Sequence, residues 1–315
     1  MISMIGAIAR VTFVVIATTV CLPIAASRAQ TYNFAYVSDT GTGSACTVAQ
    51  PCGSLGSAFT ALDGSNGRIV CLSPVNFTSQ GAASSPNTSN QTVEIDCPAG
   101  MYSEGIFWAS NVSNVTLKVR NVAFTNLGNA SAIGFFGGGG TLILENCVVE
   151  ASITTALDIE PTGALNLVIR NSRISNNASG ILLKPAAGGS IKATLDHVVI
   201  TGNSGGGIKS DSTNGIVNLD ITDSEISNNA ANGINLVGSA NQDMLNLSRT
   251  VIAKNTLTGL QTNGASAAAL VETTLFDTNA SGATAVVNGG RILTYGNNRT
   301  VGSPGSGFTG TAPLN

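Results

Sequence analysis

Hydrophobic and polar residues trade places in short bursts along most of this chain. In one burst Leu165, Leu167 and Ile169 alternate with Asn166, Val168 and Arg170. Such alternation is the period of a β-strand with one face turned inward. The bursts recur as "LKVRNVAF" from Leu117, "LILENCVV" from Leu142, "LVIRNSRI" from Leu167, "ATLDHVVI" from Ala193, "LDITDSEI" from Leu219, "LNLSRTVI" from Leu245 and "ALVETTLF" from Ala269. Their fifth positions are Asn121, Asn146, Asn171, His197, Asp223, Arg249 and Thr273, separated by 25, 25, 26, 26, 26 and 24 residues. A period this constant predicts one structural unit per repeat.

Each unit holds two further apolar centres. One falls on Phe124, Val149, Ile174, Ile200, Ile226, Ile252 and Phe276; the other follows a glycine, over 181–183, 208–210, 234–236 and 260–262. Three short strands in about 25 residues, with no helix between them, predict coils that stack in parallel about 4.8 Å apart. The fold class expected is all-β: a single-stranded right-handed parallel β-helix, three strands per coil, with a short N-terminal capping helix.

The phrases "SNNASGILL" from Ser175, "TGNSGGGIK" from Thr201 and "SNNAANGIN" from Ser227 mark a corner of each coil. Asn tolerates left-handed backbone, and stacked Asn amides hydrogen-bond from coil to coil. Asn177, Asn203, Asn229, Asn255 and Asn279 are expected to form one such column, and Asn121, Asn146 and Asn171 another. Glycine clears room for re-entry into the third strand. An open stack ends in bare strand edges, which must be covered. Residues 54–62, "SLGSAFTAL", have the apolar spacing of a short amphipathic helix that plugs the first coil. The Gly- and Pro-rich tail from Gly296 reads as a cover over the last.

Residues 1–29 have the parts of a secretory signal: Arg10, an apolar run from Val11 to Ile24 broken by Pro23, and small residues at Ser27 and Ala29 before Gln30. The expected organisation is therefore a signal at 1–29, a disulfide-bearing cap with a short helix at 30–66, the β-helix at 67–298 and a C-terminal cover at 299–315. No later stretch is long and apolar enough to span a bilayer as a helix. Export into the periplasm or medium makes disulfides available. Cys46 and Cys52 are close in "CTVAQPC". Cys71 and Cys97 are one repeat apart, at equivalent positions of adjacent coils, and a bridge between them is expected. Cys147 is left as a buried thiol.

Without the signal, 12 basic face 17 acidic side chains, five net negative charges. Phosphate neutralisation needs a basic surface, so no nucleic-acid partner is expected.

The coil pattern resembles the pectin-lyase-like superfamily of right-handed β-helices. The frame "CTVAQPCGSLGSAF", "RIVCLSPVNF", "EIDC" and "LTYGNN" is similar to exported bacterial β-helix proteins without assigned activity. The resemblance implies that any ligand is a polysaccharide laid along the outside of one sheet. Here that surface is the outward side of the third strands. One row would hold Gly134, Asp158, Leu182, Lys209, Asn235 and Gln261, and the next Phe136, Glu160, Lys184, Asp211, Val237 and Asn263. Asp158, Glu160, Lys184, Lys209, Asp211, Asn235 and Gln261 are the candidate glycan-facing residues.

Two readings of that patch remain side by side. Carboxylates two coils apart stand roughly 10 Å from each other, near the upper range for an inverting glycosidase. A lysine beside carboxylates also suits a lyase, with the acids holding calcium against a uronate. Against both, Glu160, Lys184 and Asp211 alternate in sign, which avoids like charges on neighbouring strands. The ladder Arg120, Glu145, Arg170, Asp196 does the same on another sheet. The Asn-Thr-Asp, Asp-Asp, Gly-His-Gly and Arg-Ile-Lys segments of the superfamily's hydrolases are absent. The lone His197 falls in a corner column and cannot supply a His-rich metal site. Asn235, Gln261, Asn263 and Lys209 offer sugar-binding groups, with Phe135, Phe136 or Trp108 as stacking faces. The favoured expectation is a monomeric, exported, non-catalytic module that binds extended polysaccharide or serves as a surface rod, without cofactor. The alternative is a lyase or hydrolase of acidic glycan, and calcium enters only with the lyase.

Overall fold

The computed structural model of the chain describes residues 33–73, 88–102, 106–108, 112–125 and 131–312. The expected signal segment lies outside them. The described chain winds as a right-handed parallel β-helix whose strands join two sheets, one of 19 strands and one of eight. The 19-stranded sheet carries the first and second strands of every coil, and the eight-stranded sheet the third.

The register follows the repeat. Leu165 sits beside Ile191, Ile191 beside Val217, Val217 beside Asp243 and Asp243 beside Ala267. Inward side chains therefore stack in vertical files. One file is Leu117, Leu142, Leu167, Ala193, Leu219 and Leu245, each at most 1% exposed. Each such aliphatic side chain contributes on the order of 1.5–3 kcal/mol by leaving water. Pairing also reaches past both ends of the 67–298 span expected for the stack. Asn33–Val37 lies parallel to Gly67–Cys71, and Arg299–Val301 lies parallel to Leu275–Asp277.

Both caps are present. Ser54 accepts a hydrogen bond from the Ser57 amide and starts the helix Leu55–Ala61. Leu55, Ala58 and Phe59 are its buried side. Gly67 is required beneath it, because a Cβ there would lie 2.3 Å from Leu62 Cδ2. At the other end Phe308 meets Phe276 edge-on at 6.4 Å, and Thr309 hydrogen-bonds both the amide and the carbonyl of Ile292.

The first corner is a column of left-handed residues: Asn121, Asn146, Asn171, His197, Asp223, Arg249 and Thr273 have φ between 45° and 58°. Asn is the side chain best suited to that conformation, but the column also admits His, Arg and Thr, which bear its strain. At the second corner the two roles expected of one Asn are divided between neighbours. Asn176, Asn228 and Lys254 take the left-handed φ, while the buried Asn177, Asn203, Asn229, Asn255 and Asn279 carry the amide ladder. Asn203 Nδ2 donates to Asn229 Oδ1 at 2.9 Å, Asn229 Nδ2 to Asn255 Oδ1 at 3.0 Å and Asn255 Nδ2 to Asn279 Oδ1 at 2.9 Å. Gly207, Gly233 and Gly259 fit tightly against the ladder Asn of the next coil. A Cβ at Gly233 would meet Asn255 Nδ2 at 2.8 Å.

A second ladder, of hydroxyls, lines the first corner. Ser172 accepts from the Cys147 amide at 3.0 Å and Ser224 from the Val198 amide at 3.0 Å, while each donates back to its own strand. Disulfides join Cys46 to Cys52 and Cys71 to Cys97. Cys147 is buried and free, and burial pushes its thiol up to about 11. Since the thiolate is the reactive form, Cys147 will stay unlabelled by maleimide at pH 8 in the folded protein and react fully in denaturant. Rapid labelling of native protein would contradict its placement.

Candidate functional site

The glycine turn at the second corner and the alternation of the third strands together build one outward face. In it Gly134 is registered with Asp158, Asp158 with Leu182, Leu182 with Lys209, Lys209 with Asn235, and Asn235 with Gln261. In the neighbouring row Asp211 is beside Val237 and Val237 beside Asn263. Glu160 and Lys184 extend that row just past the strand ends, where their amides donate to Phe135 and Ile159 carbonyls. Phe136 is partly exposed, whereas Phe135 is fully buried in the coil. The Trp108 side chain is outside the described residues.

A groove of about 370 Å³ runs up this face. Leu182 is the outward apolar side chain of its lining, Ile181 and Ile208 being turned into the core, and Lys184, Lys209, Asn235, Thr155, Ser179 and Asn232 supply polar side chains. That size and mix suit a small-molecule or polymer-segment site. Between Ser179 and Asn232 the corner row is occupied by Gly206, which leaves the wall low at that rung. Asn232 is held rigidly: its Oδ1 accepts from the Thr258 amide at 3.0 Å, and its Nδ2 donates to Gln261 Oε1 at 2.7 Å.

Three of the candidate residues, Lys184, Lys209 and Asn235, line the groove itself. The others stand beside it as partners. Glu160 pairs with Lys184 at 3.5 Å, Asp211 pairs with Lys209 at 3.2 Å, and Gln261 braces Asn232. Asp158 sits beside Leu182 with one carboxylate oxygen, Oδ1, buried and without a hydrogen-bond partner. Burial first, then the Glu160 charge, raises its pKa, with Lys184 opposing. Burial also works against ionisation of Asp211. Hydrogen bonds from Thr213 and the Lys209 ammonium outweigh it and hold that carboxyl below its usual range.

Each lysine faces a carboxylate, Lys184 that of Glu160 and Lys209 that of Asp211. Calcium takes six to eight oxygens, several of them carboxylate. Glu160 and Asp211 are each held by a lysine, which leaves Asp158 as the face's one carboxylate among these three without an ammonium partner at ion-pair distance. The donor set does not fit calcium. On the first corner, ligand atoms of Asp196, His197 and Asp223 lie within 4.8 Å of one another. They are already engaged, His197 Nδ1 with Asp196 at 2.7 Å and Asp223 with Arg249 at 2.8 Å. Hydrogen bonds from Arg249 and Thr222 hold Asp223 down at about 2.

Two residues escaped sequence reasoning. Asn232 belongs to a corner, where position along the repeat gave no sign that its side chain faces the groove. Asp243 occupies an inward place in the file Leu165, Ile191, Val217, and is fully buried. Its Oδ1 accepts from Ser210 Oγ at 2.6 Å and its Oδ2 from the Val237 amide at 3.2 Å. A carboxylate on the inward beat of "DMLNLS" was the available signal.

Residues 155–311 match the family model for a right-handed beta helix region. Among solved structures the chain is similar to pectate lyase Pel9A, with 16% identity, a TM-score of 0.58, and 90% of this chain and 80% of that chain covered. It also aligns with the A-module of the Azotobacter vinelandii mannuronan C-5 epimerase AlgE4, at 10% identity and a TM-score of 0.31, over 83% of this chain and 93% of that one. No curated protein sequence matches.

Proposed function

Because the chain is a right-handed parallel β-helix of the pectin-lyase-like fold, we propose that it is an exported module that binds an extended polysaccharide without cleaving it. The observation that carries this reading is the groove on the third sheet, lined by the outward Leu182, by amide and hydroxyl side chains, and by lysines already matched to carboxylates. An apolar side chain among directional polar groups suits the face and edge of sugar rings. A ligand reaching from Thr155 to Asn232 crosses three rung spacings, about 14 Å. It must therefore be extended.

Binding should be moderate and lost by filling the groove. Leu182→Arg, or Asn232→Ala, which also frees Gln261, is expected to weaken retention in polysaccharide affinity gels by about tenfold or more. Circular dichroism would show the β-helix unchanged. The companion assay follows unsaturated products and new reducing ends from uronate polymers, with and without calcium. Turnover that disappears in Lys209→Ala would replace this reading with that of a lyase. Absence of both binding and turnover would leave only a structural rod.

A further inference from the structure

Resting on that reading, we infer that the groove selects neutral polysaccharide and discriminates against polyuronates. Both lysines on its rim are matched by carboxylates, and Asp158 adds a third carboxyl without an ammonium partner at ion-pair distance. Lys184 is answered by Glu160 across adjacent coils, and Lys209 by Asp211 on its own strand. The Asp158 carboxyl stands beside Leu182 and brings no positive charge to the face. A uronate carboxylate laid on this surface would have to draw a lysine from its partner, leaving Glu160 or Asp211 uncompensated and facing a new negative charge. Neutral hydroxyls carry no such penalty.

The uncharged part of the rim is built for hydroxyl recognition. Thr155 and Ser179 both donate and accept, and the Asn232 amide is locked by Thr258 and Gln261, so little side-chain freedom is lost on binding. Asn235 closes the groove one rung above Lys209, with its Oδ1 occluded and without a hydrogen-bond partner.

The test is a binding series on the full chain with glucomannan, galactomannan and β-glucan set against polygalacturonate and polymannuronate. It is run in about 50 mM and about 0.5 M NaCl, since salt screens exposed charge. The expected result is retention by at least one neutral polymer, changed less than about twofold by salt, with the polyuronates weaker. Glu160→Gln and Asp211→Asn, each alone and together, free the lysines and should raise polyuronate affinity by up to about tenfold in low salt. Neutral binding should stay the same. Tighter, salt-sensitive binding of polyuronates by the unmodified chain overturns the selectivity while leaving glycan binding in place. No binding of any polymer overturns both. A lack of gain in variants that retain neutral binding removes charge pairing as the cause.

Discussion

Replacing Asn229 by Leu will cost the fold about 3–5 kcal/mol. Leu has the same branching and the same number of side-chain heavy atoms, so shape alone predicts a smaller change. The hydrogen bonds predict otherwise. Asn229 Oδ1 accepts from the amide and the side chain of Asn203, and its Nδ2 donates to the Ile200 carbonyl and to Asn255 Oδ1. All of these groups are buried, and water cannot replace the lost partners. The neighbouring Asn228 is the control. It has a left-handed φ of 54° and is exposed, so Asn228→Gly should shift stability by less than about 1 kcal/mol. Urea melts followed by circular dichroism compare the two. Equal midpoints for both variants would show that the ladder adds nothing beyond shape.

The stability of the protein will fall as pH rises from about 4 to about 7, and Asp243 will supply most of the slope, with the raised Asp158 acting in the same sense. Burial pushes this carboxyl from 3.8 up to about 7, a rise assisted by the nearby charge of Asp211 and opposed by the Ser210 and Val237 hydrogen bonds. Within that window the folded chain keeps a proton that the unfolded chain has released. Raising the pH therefore favours unfolding, and the contribution is on the order of 4 kcal/mol once both states are ionised. Asp243→Asn keeps the shape and removes the titration. Its melting temperature should exceed that of the unmodified chain at pH 8 and approach it near pH 4. Parallel pH profiles for the two proteins would refute the assignment. Asp211 and Asp223 have lowered values and act in the opposite sense, losing their contribution only as the pH drops below the ordinary carboxylate range.

The architecture was legible in the sequence because each rung repeats the same three decisions: alternate, turn on a left-handed residue, and re-enter past a glycine. Repetition multiplies a weak local signal. It also located the Cys71–Cys97 bridge, since residues one period apart become vertical neighbours. The groove was harder to read. Its outward rows follow from strand parity, which is why the outward placement of Lys184, Lys209 and Asn235 was legible. Its far wall, however, comes from corner residues such as Asn232, whose direction depends on corner geometry that varies in length between rungs. Ion pairing was partly legible: the alternation in sign of Glu160, Lys184 and Asp211 pointed to a charge ladder, and Lys184 does approach Glu160 at 3.5 Å, while Asp211 pairs with Lys209 on its own strand. Asp243 broke the inward pattern in plain view, but a pattern built on the seven aligned strand motifs began two residues after it.

The constancy of register along the inward files has an evolutionary corollary. Duplicating or excising one whole period would lengthen or shorten the spindle by a single step, with each remaining side chain meeting a neighbour of the same kind. Losing one residue within a strand would instead rotate every later position to the wrong side of the wall. Lineages of such molecules should therefore differ in length by whole turns of the spiral, with odd-sized insertions confined to the bends.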